Sequence, residues 1–245
     1  MGQELESLDY ADWLSGSLES ARVVAPLVVD AVSPRSVIDV GCGIGSWLVA
    51  FQERGVEDVL GVDGPWVETA QLLIPAERFV AADLREPFDV GRRFDLALCL
   101  EVAQILPPDA AEQLVRRLVA LADVVLFGAA IPGQGGTGHR NEQWPSYWAE
   151  QFAAAGHAAT DPFRLRVWDD PGVKWWFAQN LVCFARPETL AERPALASAA
   201  CPDGPLSLVH PGCLAEANAR SVAAAPSAGA QGRLSRVLRR GDRNS

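Results

Sequence analysis

The sequence predicts an α/β fold, a mostly parallel sheet with helices on both faces. Two observations carry this. From about residue 34, short apolar runs alternate with segments patterned as helices, the rhythm of strand–helix–strand units. The runs are also apolar almost without interruption, as strands covered on both faces must be. A third observation places a ligand on that fold. In SVIDVGCGIGSW (36–47), three glycines, Gly41, Gly43 and Gly45, stand at alternate positions directly after the first strand.

Taken in order, residues 7–31 carry Leu14, Leu18, Ala21, Val24, Leu27 and Val28 at helical spacing, so 1–33 reads as a leading helical region. Strands are expected at SVIDV (36–40), DVLGV (58–62), RFVAA (78–82), FDLALCL (94–100) and DVVLFGAA (123–130). GSWLVAFQERG, WVETAQLLI and PDAAEQLVRRLVALA lie between them as helices. The last starts near Asp109 and repeats apolar residues at Leu114, Val115, Leu118 and Leu121. After residue 130 a glycine-rich loop, PGQGGTGHRNEQ, leads into a helix near 144–155. FRLRVW (163–168) and WWFAQNLVCFA (175–185), joined by DDPGVK, predict an antiparallel strand pair that closes the sheet. Patterning fades over 187–221, and 222–245 reads as a flexible Ala/Pro linker followed by a basic, solvated tail.

With 245 residues, 49% of them hydrophobic, the chain can bury one sizeable core. A net charge of −10 argues against nucleic acid as the main partner. Cys42, Cys99, Cys183, Cys201 and Cys213 are odd in number and form no C-x-x-C pair, so buried small hydrophobes are expected rather than disulfides or metal ligands. Neither a signal peptide nor an apolar run of the ~18 residues a membrane span needs is visible, and a cytoplasmic protein is expected.

Each glycine in a strand or helix costs roughly 0.5–1 kcal/mol, so an alternating trio implies a sharp turn or a ligand against bare backbone. Turns of this kind sit at the carboxyl ends of the strands, where open α/β sheets bind ligands. Ser46 stands where the third glycine of a dinucleotide G-x-G-x-x-G would be. Asp39 lies two residues before Gly41. Asp63, in GVDG, ends the second strand, where a carboxylate can accept from both ribose hydroxyls. Asp83, in AADL, ends the third, where it can accept from an adenine amino group. Singly, each aspartate reads equally as a helix cap or turn residue. Together, in a turn with no lysine or arginine for a pyrophosphate, they suit a cationic adenosine ligand.

VIDVGCGIGSW, GVDG, AADL and FDLALCLEVAQIL resemble the ordered motifs of class I S-adenosylmethionine-dependent methyltransferases over about 34–185. The resemblance implies a Rossmann-like, seven-stranded sheet in order 3-2-1-4-5-7-6 with strand 7 antiparallel, and a methyltransferase domain at 34–186. It implies S-adenosylmethionine as cofactor and S-adenosylhomocysteine as product. Asp39, Gly41, Cys42, Gly43 and Gly45 would then cradle the methionine end, and Asp63 with Gly64 the ribose. Asp83 and Leu84 would address adenine, with Leu100, Glu101 and Val102 on the sulfonium side. AAIPGQGGTGHRNEQWPSYWAEQF and VKWWFAQNL resemble a bacterial small-molecule subgroup that modifies saccharides and natural products. Where related chains often read Glu-His after the fourth strand, this one has Gln104 and Ile105, so that histidine base is missing.

A hydroxyl acceptor needs a proton acceptor. His139, in the glycine-rich loop, is the expected base, with Glu142 either orienting it or acting itself. A loop-organising role for His139 stands beside that reading, and Glu101 is a further carboxylate. His157 reads as a helix-end residue, and His210 falls in the weakly patterned segment. Gln143, Trp144, Tyr147, Trp175, Trp176 and Gln179 combine aromatic faces with amides, as a polyhydroxylated ring requires, though core packing also accounts for tryptophans. In a strand, the adjacent Trp175 and Trp176 would face opposite ways. The expected activity is O-methylation of a sugar, or of a glycosylated or nucleoside natural product. A cofactor-binding protein without transferase activity and an NAD-dependent oxidoreductase remain as alternatives. A small-molecule partner is expected and no metal. A homodimer is compatible with the sequence but not required by it.

Overall fold

The structure, a computed structural model, describes residues 10–224. Its sheet has seven strands: β1 (Ser36–Val40), β2 (Asp58–Asp63), β3 (Phe79–Ala81), β4 (Leu96–Leu100), β5 (Val124–Gly128), β6 (Ala158–Thr160) and β7 (Val182–Ala185). Their order is 3-2-1-4-5-7-6. β1 to β5 run parallel, and β7 is antiparallel to both β5 and β6. This is the predicted sheet.

Alternation along the central strands divides the core in two. Val37, Leu96, Leu98, Val124 and Leu126 face one layer, with α1 (Tyr10–Val32) and α2 (Ser46–Glu53). Their neighbours Ile38, Ala97, Cys99, Val125 and Phe127 face the other, against α3 (Pro108–Leu121) and α4 (Pro145–Ala154). β4 and β5 are buried along their whole lengths, which is why they read as unbroken apolar runs. α3 and α4 both begin on proline, whose fixed φ suits a first helical turn and whose missing N–H would have no partner there.

Three expectations are corrected. FRLRVW is not a strand but contains the short helix α5 (Arg164–Val167), and WWFAQN forms the helix α6 (Trp175–Asn180). The antiparallel pair exists, but β7 pairs with Ala158–Thr160, a run too short to stand out. The helix is favoured because Arg164, 0% exposed, reaches Asp161 three residues back and the carbonyls of Gln179 and Leu206. WVETAQLLI supplies only a single tight turn, Thr69–Gln71. Of its residues only Val67 and Ile74 are buried, so no apolar stripe exists for a helix to cover. The weakly patterned 187–221 holds α7 (Pro187–Ala191), α8 (Pro194–Ala197) and most of α9 (Pro211–Ala224), each again opening on proline. α9 extends over 222–224 of the expected linker, while 1–9 and 225–245 lie outside the described residues.

The cysteines are free; Cys42, Cys99, Cys183 and Cys213 are buried and Cys201 half-buried. Among the described residues no helix is long and apolar enough to cross a membrane, and no cluster of three His, Cys, Asp or Glu side chains could hold a metal.

Candidate active site

The glycine turn links the ends of β1 and β2. Gly41 and Cys42 donate their amides to the Val62 carbonyl at 2.7 and 3.3 Å. Gly41 has φ 90, and a Cβ there would overlap the Val102 side chain. Gly45 has φ 91 and would bring a Cβ to 3.0 Å from Ile74. Both positions therefore exclude side chains for conformational and steric reasons together. α2 starts immediately after, with no side-chain cap on its first amides.

Asp63 locks this turn from the neighbouring strand. Its Oδ2 accepts the Gly43 amide at 2.7 Å and its Oδ1 accepts that of Gly64 at 2.6 Å. Burial raises its pKa against the pull of those two N–H groups. Asp39 is 2% exposed; burial, and then the nearby Asp63 charge, push it up to about 7. Asp83 lies in the open and is paired with Arg85, whose guanidinium holds it below the ordinary carboxylate range. Leu84 is buried, its carbonyl accepting from Arg117 at 2.8 Å.

A cleft of about 330 Å³, including its open mouth, lies over the turn and is lined by Ser17, Asp39, Gly41, Cys42, Ser46, Trp47, Leu100 and Phe177. Ser46 Oγ is buried in that lining without a hydrogen-bond partner. Ser17 and Phe177 come from α1 and α6 and form the outer wall.

Beside the cleft, a polar network joins the ends of β4 and β5. Glu101 ends β4 in a left-handed conformation, φ 59. Its carboxylate accepts from Asn180 Nδ2 at 2.8 Å and Gln104 Nε2 at 3.1 Å, and burial pushes it up to about 7. Gln134 Oε1 accepts from Gln179 at 2.9 Å and Asn180 at 3.1 Å. The Gln104 carbonyl accepts from the amides of Arg140 and Asn141, fastening the glycine-rich loop to β4.

Within that loop His139 Nδ1 meets Glu142 Oε1 at 2.8 Å. Glu142 also accepts the amides of Gly133 and Gly135. Burial raises its pKa, but His139 and the two amides outweigh it and hold the carboxyl low. Pairing with a carboxylate assigns the proton to Nδ1, leaving Nε2 as an acceptor. A Cβ on Gly136 would overlap Nε2, so this edge of the ring rests against the loop's own backbone.

The expected site residues thus divide. Asp39, Gly41, Cys42 and Leu100 line the cleft, Gly43, Asp63 and Gly64 are bonded beneath it, and Glu101 and Gln179 belong to the network beside it. His139 and Glu142 form a pair one layer further out. Gln143 donates to Asn141 Oδ1 at 3.1 Å, Trp144 is largely exposed, and Tyr147 packs on the second core layer. Trp175 and Trp176 sit on a helix with rings edge to face, not on opposite faces of a strand. Trp175 Nε1 donates to Glu216 at 2.8 Å. Sequence reasoning missed Ser17, Trp47, Phe177 and Gln134. It also missed the strap over the loop, where Arg220 of α9 donates to the carbonyls of Gly133 and Gln134 at 3.0 and 2.6 Å. Apart from the Gly16-Ser17 pair, too small to cover a cleft wall, no local signal marks them.

Residues 37–123 match the family model described as a methyltransferase domain. The segment is a methyltransferase domain. The match spans β1 to the edge of β5 and contains the glycine turn, Asp63, Asp83 and Glu101. The class I resemblance read from the motifs is borne out in family and in sheet order. Solved structures share the methyltransferase fold at low identity. A putative O-methyltransferase from Nostoc punctiforme PCC 73102 is 18% identical over 68% of this chain, with a TM-score of 0.52; the match covers 55% of that longer protein. CalS10, an amino pentose methyltransferase from Micromonospora echinaspora involved in calicheamicin biosynthesis, is 20% identical over 72% of this chain and 96% of its own, TM-score 0.52. The sugar N-methyltransferase KedS8 from Streptoalloteichus sp ATCC 53650 is 21% identical over 69% and 87%, TM-score 0.51. No curated protein sequence matches the chain.

Proposed function

We propose that the chain is an S-adenosylmethionine-dependent methyltransferase of small molecules, acting on a hydroxyl of a sugar or of a glycosylated or nucleoside natural product. One observation carries the cofactor reading. The cleft has a glycine floor, a buried unpartnered Ser46 hydroxyl, an acid at its base and no lysine or arginine in its lining. That donor set fits a zwitterionic amino acid joined to a positively charged nucleoside, and fits a pyrophosphate poorly. Ser46 and the first amides of α2 would meet the carboxylate, Asp39 the amino end, and Asp63 the ribose. Asp83 would meet adenine once released from Arg85.

When bound, the cofactor supplies an electrophilic methyl on a cationic sulfur. The protein's task is then to align the acceptor at about 3–3.5 Å and to keep water out. Ser17 and Phe177 close the outer wall. His139, oriented by Glu142, is the proposed proton acceptor at Nε2, and the amides of Gln143 and Gln179 with the nearby aromatic rings would hold the acceptor. Saccharide chemistry is supported by this amide-rich surround and by the sugar-modifying relatives of the same fold.

A labelled-methyl assay over saccharide and natural-product acceptors, with mass spectrometry of the product, tests the proposal. Transfer to a sugar oxygen supports it; cofactor binding with no turnover on any acceptor rejects the transferase reading. That second reading, cofactor binding without transfer, draws on the packing of Nε2 against Gly136. Tighter binding of NADH than of S-adenosylhomocysteine would instead revive the oxidoreductase.

A further inference from the structure

Glu101 is a desolvated carboxylate held by neutral amides. Its partners are Asn180 at 2.8 Å, Gln104 at 3.1 Å and the Gln134 side chain. Other ionisable groups near it are themselves acids or occupied elsewhere. Asp39 and Asp63 stand at the ends of β1 and β2, and Cys99 lies buried on β4. His139 is paired with Glu142 in the loop, and Arg220 on α9 holds the carbonyls of Gly133 and Gln134. Among the described residues, no lysine or arginine is ion-paired with Glu101.

Its position is equally specific. The preceding residue, Leu100, lines the cleft, and the following one, Val102, packs where a Gly41 side chain would stand. Glu101 lies between them at φ 59, a conformation that side chains adopt only when the surroundings impose it. It therefore borders the glycine turn from the β4 side, opposite the Asp63 side. A buried anion with amide donors and no counter-charge is completed by a cation.

We infer that this cation is the sulfonium of the bound methyl donor, and that Glu101 distinguishes the donor from the spent product by charge. The inference rests on the cofactor reading above and adds a specificity role to it. In transfer, the acceptor oxygen bonds to the methyl carbon and its proton passes to His139. The carbon–sulfur bond breaks with its electron pair retained by sulfur, which becomes neutral. The attraction to Glu101 ends at that moment, so the product is held less tightly than the donor. Burial has already brought Glu101 to a titration range near 7. The discrimination should therefore strengthen as pH rises through that range and weaken below it.

Calorimetry on the full chain tests this with three probes: S-adenosylmethionine, S-adenosylhomocysteine, and an analogue carrying a protonated amine in place of the methyl sulfonium. Glu101→Gln should weaken both cationic probes about tenfold and leave S-adenosylhomocysteine within twofold. Glu101→Asp should keep the preference for cations. Between pH 6 and 8 the donor-to-product affinity ratio should rise in the native chain and stay flat in Glu101→Gln. An equal loss of all three probes in a variant with an unchanged melting transition overturns the inference, as does no change in any. If the native chain binds none of the probes, the cofactor reading itself fails.

Discussion

Asp63 and Gly43, twenty residues apart, are joined by a 2.7 Å hydrogen bond from the glycine amide to the carboxylate. The acid read as a ribose acceptor is thus also the clasp of the turn it faces. One carboxylate oxygen holds Gly43 and the other Gly64. Asp63→Ala removes both bonds and leaves two amides searching for water. Hydrogen bonds to charged groups contribute about 1.5–3 kcal/mol each, so a drop in stability of about 2 kcal/mol and a loss of S-adenosylhomocysteine affinity beyond tenfold are expected. Thermal melts and calorimetry check the two effects, and unchanged values in both would remove Asp63 from the site.

Asp39 sets a pH dependence whose sign is opposite to that of a salt-bridged acid. Its folded pKa, about 7, lies above the unfolded value. The folded state therefore holds the proton more strongly, and ionising Asp39 above pH 7 costs stability. That cost shrinks as pH falls from about 7 and is gone below the unfolded carboxylate range. Asp39→Asn should raise the melting temperature at pH 8, with a gain that fades by pH 4, while weakening cofactor binding. Melts of both proteins across that range decide it; a pH-independent difference would contradict the assignment.

For the loop pair, separate readouts distinguish chemistry from scaffolding. His139→Ala should lower transfer to a hydroxyl acceptor by 10²–10⁴-fold, the usual range for a general base. It should leave S-adenosylhomocysteine affinity within twofold. Glu142→Gln keeps some bonding to the loop amides but loses the carboxylate beside His139, so a smaller loss of about tenfold is expected. Steady-state rates with an identified acceptor test this. Full activity in His139→Ala would assign His139 to organising the loop.

Arg164 is a structural cation, fully buried, bonded to Asp161 at 2.6 Å and to the carbonyl of Leu206 at 2.9 Å. Removing one partner of a buried pair costs about 3–5 kcal/mol because the other charge is stranded. Arg164→Met should therefore lower the melting temperature by roughly 10 °C. Arg164→Met combined with Asp161→Leu should recover part of the loss. A single variant that melts like the native chain would show that the pair is solvated.

Five parallel strands and the glycine turn were legible in the sequence because their determinants are local. Apolar runs that must be covered on both faces announce themselves, and no side chain fits at Gly41 against Val102. The aspartates at strand ends were legible for the same reason, since a strand's carboxyl end fixes where its last side chain stands. Arg164, Trp175 and Trp176 were misplaced because their residue types are compatible with helix and strand alike. Their neighbours in space, not in sequence, decided between the two.

By itself, then, the chain determined the order of its sheet, the bare backbone over β1 and the acids around it. Only the tertiary structure decided that Ser17 and Phe177 would wall the cleft, and that Asn180 would reach Glu101 across 79 positions. It also decided that α9 would strap the glycine-rich loop through Arg220. The physical reason is that strand periodicity and glycine geometry act within a few residues. A buried polar group instead takes whichever partner the packed layers bring within about 3 Å, and that partner follows from topology rather than from local pattern.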